Sequence, residues 1–153
     1  MKPIPARIAA FHIDGSDRYG VVTDDGIVDL TPDFGDRFAT LQNVVEAGAL
    51  EEVIAAADGR APTWREQDVT YLIPVARPEK IICIGVNFPD RNAEYKDGQA
   101  APSKPSMFIR FPRSCVGHDE NIGRPPESEQ LDYEGEVTIV IGKGGRRIPR
   151  EDA

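Results

Sequence analysis

The sequence offers little with which to build a redox or zinc centre. It has two cysteines, Cys83 and Cys115, both in apolar surroundings and without CxxC spacing. That pattern argues against a disulfide framework and a structural zinc site, and it suits a reducing, cytoplasmic setting. The two histidines, His12 and His118, are too few and too separated for a zinc triad. No apolar run approaches 18 residues, so no membrane span is expected. No secretory leader is read, since Met1-Lys2-Pro3-Ile4-Pro5 leads straight into a strand-like segment. Positive charge is also scarce, with 18 Lys and Arg against 26 Asp and Glu and a formal net charge of −8. That balance argues against nucleic acid and anionic membrane as main partners. An anionic small molecule stays open, because a metal ion and local arginines can reverse the field inside a site. No repeat or low-complexity tract is present.

What is present suits one domain or two small ones in 153 residues. Arg7 to Ile13 reads as a strand, followed by turn residues from Asp14 to Asp17. Tyr19 to Thr23 reads as the returning strand. Asp24-Asp25-Gly26 is a second hairpin turn and Ile27 to Leu30 a third strand, which Thr31-Pro32 ends. Within this small antiparallel meander, His12 is an ordinary strand residue. Thr40 reads as the N-cap of a short helix from Leu41 to Glu46, and Gly48 separates it from a second, Leu50 to Ala57. The apolar residues Leu41, Val44, Val45, Leu50, Val53 and Ile54 have amphipathic spacing and read as packing. Pro74 and Pro78 mark a module boundary. Beyond it, Lys80 to Gly85 reads as a buried strand whose carboxyl end is a place for a site. Met107 to Phe111 is another strand, with Arg110 its one charge; a lone charge in an apolar strand needs an anion.

The most informative stretch is Leu131 to Lys143, LDYEGEVTIVIGK. The β-branched run from Val137 to Ile141 reads as a buried strand. Just before it stand Glu134 and Glu136. In a strand they share a face, with Cα atoms roughly 6.5 Å apart. Two bare carboxylates at that distance repel by about 2.5 kcal/mol at an effective dielectric of about 20. A hard divalent cation between them removes the conflict, since Mg2+ and Ca2+ prefer oxygen ligands. The plainer alternative is a pair of solvated charges that discourage edge pairing. The Gly142-Lys143-Gly144-Gly145-Arg146 segment lacks phosphate-loop spacing and reads as a basic turn.

The pieces in this order resemble the fumarylacetoacetate hydrolase family. The matching residues run from Lys80 to Asn87, from Pro105 to Arg110, then Ser114 with Gly117, and from Leu131 to Glu136 into Ile141-Gly142-Lys143. The Arg146-Arg147-Ile148 and Glu151-Asp152-Ala153 tail also looks like the family, and the module before residue 74 is similar to the small N-terminal domain many members carry. The resemblance implies an α+β, mostly β chain. Residues 1–74 would form the small meander-plus-helix domain. Residues 75–153 would begin a rolled, mixed β-sheet catalytic fold, cut short at Ala153. It also implies a homodimer and a site for Mg2+, Mn2+ or Ca2+ held by three carboxylates. Glu134 and Glu136 match the first two metal ligands. The third, an aspartate, lies downstream in the family and has no counterpart in this chain. The implied substrates are oxo-acids and β-diketones, such as acylpyruvates or a 2-hydroxyhepta-2,4-diene-1,7-dioate-like acid from aromatic catabolism. The implied reactions are isomerisation, decarboxylation or C–C hydrolysis through a metal-stabilised enolate.

Departures narrow that expectation. Phe88 follows Asn87 where the family usually has Tyr. Hydrolytic members place a His three residues before a Glu to activate water; here that spacing gives Arg91 and Glu94. Arginine does not take a proton near neutral pH. Glu94 could act alone as a base, with Arg91 holding a substrate carboxylate. Asn87, Phe88 and Arg110 are the expected substrate-binding residues, Arg110 standing where a lysine is common. The missing histidine favours isomerisation or decarboxylation over hydrolysis. The incomplete carboxylate set leaves a second expectation, a non-catalytic fragment or pseudo-enzyme.

Overall fold

The computed structural model describes residues 6–85, 104–131 and 135–152. The chain divides into two compact units, Met1–Val75 with Val116–Ala153, and Ala76–Cys115. The described residues form a small mixed structure, mostly sheet, and the two sheets among them are antiparallel.

In the first unit the expected meander forms as β1 (Arg7–Ile13), β2 (Ser16–Thr23) and β3 (Gly26–Asp29). The β1–β2 turn is two residues, Asp14 and Gly15, with φ of 49° and 70°. Two successive left-handed residues make the turn whose twist matches a right-handed hairpin, which is why Asp-Gly occupies it. It sets Ile13 opposite Ser16 and so fixes the register of the whole pair. A fourth strand, β4 (Thr70–Leu72), joins the far side of β1, giving the order β3-β2-β1-β4.

The period-two alternation divides the apolar residues between two faces. Ala10, Tyr19, Val21 and Val28 pack on one face with Leu30, Leu41, Val44 and Val53, while Phe11, Ile13 and Ile27 pack on the other against Val22, Trp64, Val69 and Tyr71. The first face is covered by α2 (Leu41–Glu46) and α3 (Leu50–Ala55). Thr40 caps α2 as its sequence suggests, accepting a hydrogen bond from the Asn43 amide at 3.2 Å. Thr40→Ala is expected to lower the stability of this unit by about 1 kcal/mol. A thermal melt of the two proteins checks it, and an unchanged midpoint would remove the cap from the account.

An additional one-turn helix, α1 (Thr31–Phe34), stands where Thr31-Pro32 was expected only to end a strand. Proline in a first turn forfeits no helical hydrogen bond, so the breaker also serves as a starter. On the surface, Arg37 donates to both carboxylate oxygens of Glu52, at 2.6 and 3.1 Å. Those hydrogen bonds hold the Glu52 carboxyl below its ordinary range.

The second unit holds β5 (Ile81–Gly85) paired with β6 (Ser106–Arg110). Both strands lie where the sequence puts them, but they are not buried. Ile82, Ile84, Met107 and Ile109 are all exposed, since among the described residues no third strand joins this ribbon. Of the rolled mixed sheet expected for residues 75–153, the described residues hold a two-stranded antiparallel ribbon.

A second expectation is overturned outright. Val137 to Ile141 is not a strand, and Val137 is 93% exposed. The run has the β-branched composition of a strand but no partner among the described residues. Strand propensity expresses fit to a pleated, half-buried surface, and it forms nothing without a neighbour.

Candidate active site

Seven residues are expected to carry chemistry. Asn87, Phe88, Arg91, Glu94 and Glu134 lie outside the described residues. Arg110 and Glu136 lie within them. Arg110 closes β6, opposite Ile81. The antiparallel register puts Ser106, not Arg110, opposite Gly85. Four strand steps therefore separate Arg110 from the carboxyl end of β5, about 13 Å along the ribbon. The Arg110 guanidinium lies over the Phe108 ring at 5.0 Å, on an exposed surface. The charge is exposed in this ribbon, where the Phe108 face and solvent surround it, so it is not the buried charge for which an anion was expected.

Glu136 is exposed and stands outside any strand. The strand geometry that puts residues i and i+2 on one face does not apply to it here. Among the described residues no group of three His, Cys, Asp or Glu side chains is assembled to hold a metal ion. Of the histidines, His12 faces Asp17 across the β1–β2 pair, with Nδ1 and Oδ1 2.7 Å apart. It is a cross-strand partner, as an ordinary strand residue should be.

A dense polar arrangement among the described residues lies outside the sequence-predicted set. Asp29, at the end of β3, is 2% exposed. Its Oδ2 accepts from Arg18 Nη1 at 2.9 Å and from Trp64 Nε1 at 3.3 Å, and its Oδ1 accepts from the Thr31 amide at 2.9 Å. The Arg18 guanidinium also lies 5.9 Å from the Trp64 ring centroid. This hub ties β2, β3, α1 and the 62–72 segment together. The available signal was a carboxylate inside the apolar run Ile27-Val28-Asp29-Leu30. Every oxygen of Asp29 is already engaged by the fold, which makes it architectural. Tyr19, beside it, donates its hydroxyl to the Phe38 carbonyl at 2.9 Å. Burial first and the Asp29 charge second raise the Tyr19 hydroxyl above the ordinary tyrosine value.

Residues 80–153 match the family model described as fumarylacetoacetate (FAA) hydrolase C-terminal. Every one of the seven candidate residues falls inside that stretch. The chain belongs to the fumarylacetoacetate hydrolase family. Among curated members, oxaloacetate tautomerase FAHD2A, mitochondrial, of Bos taurus is 35% identical over 130 residues, covering 84% of this chain and 41% of the relative. Oxaloacetate tautomerase YisK of Bacillus subtilis is 43% identical over 88 residues, covering 56% of this chain and 29% of the relative. Among solved structures, a candidate HpcE protein from Mycobacterium smegmatis superposes with a TM-score of 0.57 at 25% identity, covering 78% of this chain and 41% of that one. This fumarylacetoacetate hydrolase family chain thus spans about two fifths of the length of the FAHD2A relative. Among the described residues no helix is long and apolar enough to cross a membrane.

Proposed function

We propose that this chain carries a small N-terminal domain, residues 1–74, and a catalytic region, residues 75–153, of an oxo-acid isomerase. The favoured reaction is the keto–enol interconversion of an oxaloacetate-like dioic acid. One observation carries the reading: relatives aligned over most of this chain are named oxaloacetate tautomerases. The residue types agree with it. Glu94 stands where hydrolytic members have the acid of a water-activating pair, and Arg91 replaces the histidine. A lone carboxylate can move a proton but has no partner to activate water, which suits tautomerisation better than C–C cleavage.

In the proposed step Glu94 takes a proton from the carbon beside the ketone. The C–H electron pair becomes the new C=C bond, and the carbonyl pair moves onto oxygen, which is then protonated. The atoms balance without a co-reactant. Arg91 would orient one substrate carboxylate, a role that suits the forked donors of a guanidinium. Arg110, Asn87 and Phe88 are assigned to the substrate as well. Glu134 and Glu136 fit a divalent cation, Mg2+ or alternatively Mn2+ or Ca2+, by donor chemistry, since both offer hard carboxylate oxygens. A bound cation would supply Lewis-acid polarisation of the substrate carbonyl. A homodimer is proposed on the family resemblance alone.

The test follows the ultraviolet absorbance of enolic oxaloacetate as it relaxes, with protein and Mg2+, against Mg2+ alone. The expected result is acceleration by about 100-fold or more, the range of positioned acid–base catalysis, with no C–C cleavage of an acylpyruvate. Relaxation at the Mg2+-only rate, with Mn2+ giving the same, would sink the isomerase reading in favour of a non-catalytic chain.

A further inference from the structure

The coil that leads toward Glu134 and Glu136 meets the N-terminal sheet at Tyr71. The Gly117 carbonyl accepts a hydrogen bond from the Glu120 amide at 3.2 Å, closing a turn in which Asp119 has a φ of 61°. That turn sits on β4, the last strand of the four-stranded sheet. A Cβ built on Gly117 would overlap the Tyr71 carbonyl oxygen, a backbone atom that no rotamer change can move aside. The His118 ring meets the Tyr71 ring edge-on, with centroids 5.8 Å apart and planes at 70°. Aromatic pairs in that arrangement gain beyond their buried area. Burial first, then Glu66, raise the Tyr71 hydroxyl above the ordinary tyrosine value. Backbone fit and ring contact therefore fall on the same residue of the sheet.

We propose that the Gly117–Glu120 turn is a clasp that fastens the segment running into Glu134 and Glu136 onto the N-terminal sheet at Tyr71, with Gly117 as the position that allows it to close. The clasp is a matter of geometry. Its consequence for cation binding rests on the reading of Glu134 and Glu136 as ligands. Gly117 is then a positioning residue for that site.

Hydrogen exchange on the full chain tests the clasp. Gly117→Ala is expected to quicken exchange across residues 115–121 by roughly tenfold, the equivalent of about 1.4 kcal/mol, while protection in β1, β2 and β3 is kept. Gly123→Ala, where an added Cβ meets nothing within 4 Å, is expected to leave the profile unchanged. Should Gly117→Ala unfold the unit, His118→Ala carries the test, with a smaller acceleration over the same residues. Wild-type exchange at 115–121 in Gly117→Ala or, failing that variant, in His118→Ala overturns the clasp. Equal acceleration in Gly123→Ala does so too. The second readout is Mn2+ affinity, expected to fall severalfold in Gly117→Ala. An opened clasp with unchanged Mn2+ affinity overturns the positioning role. An opened clasp in a chain that never binds Mn2+ overturns the metal reading and leaves the clasp standing.

Discussion

Asp29→Ala is expected to destabilise the N-terminal unit by about 3 kcal/mol, at the low end of the cost of breaking a buried ion pair. The carboxylate is 2% exposed and accepts from Arg18, Trp64 and the Thr31 amide. Removing it leaves three donors without their acceptor and Arg18 without its counter-charge. The Arg18 side chain is 27% exposed, so water recovers part of the loss and holds the cost near that lower end. Asp29→Asn keeps the shape and one oxygen and should cost less. Urea unfolding read by fluorescence is well suited, because the sequence has one tryptophan and Trp64 donates directly to Asp29. The control is Asp24→Ala. Its partner Arg7 lies 3.5 Å away and both side chains are more than half exposed. An exposed pair of that kind contributes about 0–1 kcal/mol. Equal midpoint shifts in the two variants would mean that Asp29 is no hub.

The reason Asp29 escaped the sequence reading is the reason the meander did not. A hairpin is local: alternation and a two-residue Asp-Gly turn lie within a few positions, so Arg7 to Thr23 can be read directly. The hub adds Arg18 and Trp64, 11 and 35 residues away in sequence, to the local Thr31 amide, and no short spacing announces that those two meet Asp29. The α1 helix was hidden differently, because Pro32 is a stop signal for a strand and a permitted residue in a first helical turn. The run from Val137 to Ile141 shows the opposite error. Its composition states what it would do beside another strand, and pairing is a property of the partner as much as of the run. Ile82, Ile84, Met107 and Ile109 make the same point for β5 and β6: location and register were legible, burial was not.

At the candidate site the sequence supplied residue types and the family, but little geometry. Glu-x-Glu, the Arg91–Glu94 spacing and Arg110 are chemical statements that hold in any conformation. Where they meet depends on contacts between distant parts of a chain. The one geometric inference drawn from spacing, a shared strand face for Glu134 and Glu136, assumed a strand that Glu136 does not occupy. The carboxylate pair must therefore be tested by its charge and not by its presumed angle.

Changing both Glu134 and Glu136 to Gln is expected to weaken Mg2+ or Mn2+ binding by at least about 100-fold. Loss of supporting groups around a metal already costs up to about that factor, and direct ligands should cost no less. Glutamine matches glutamate in shape and keeps a neutral oxygen, so the substitution isolates the charge. It separates two accounts of the pair that predict opposite signs in opposite conditions. Without cation, two nearby carboxylates repel, so the double variant should melt at the same temperature as the wild type or slightly higher. With cation at about 100 times its dissociation constant, binding to the native state adds about 2.7 kcal/mol of stability. The wild type should then melt higher, and the double variant should lose most of that gain. If the two are merely solvated charges, Mg2+ moves both proteins equally or not at all. A cation-dependent rise that survives in the double variant would place the metal elsewhere in the chain and end the case for these two residues as ligands.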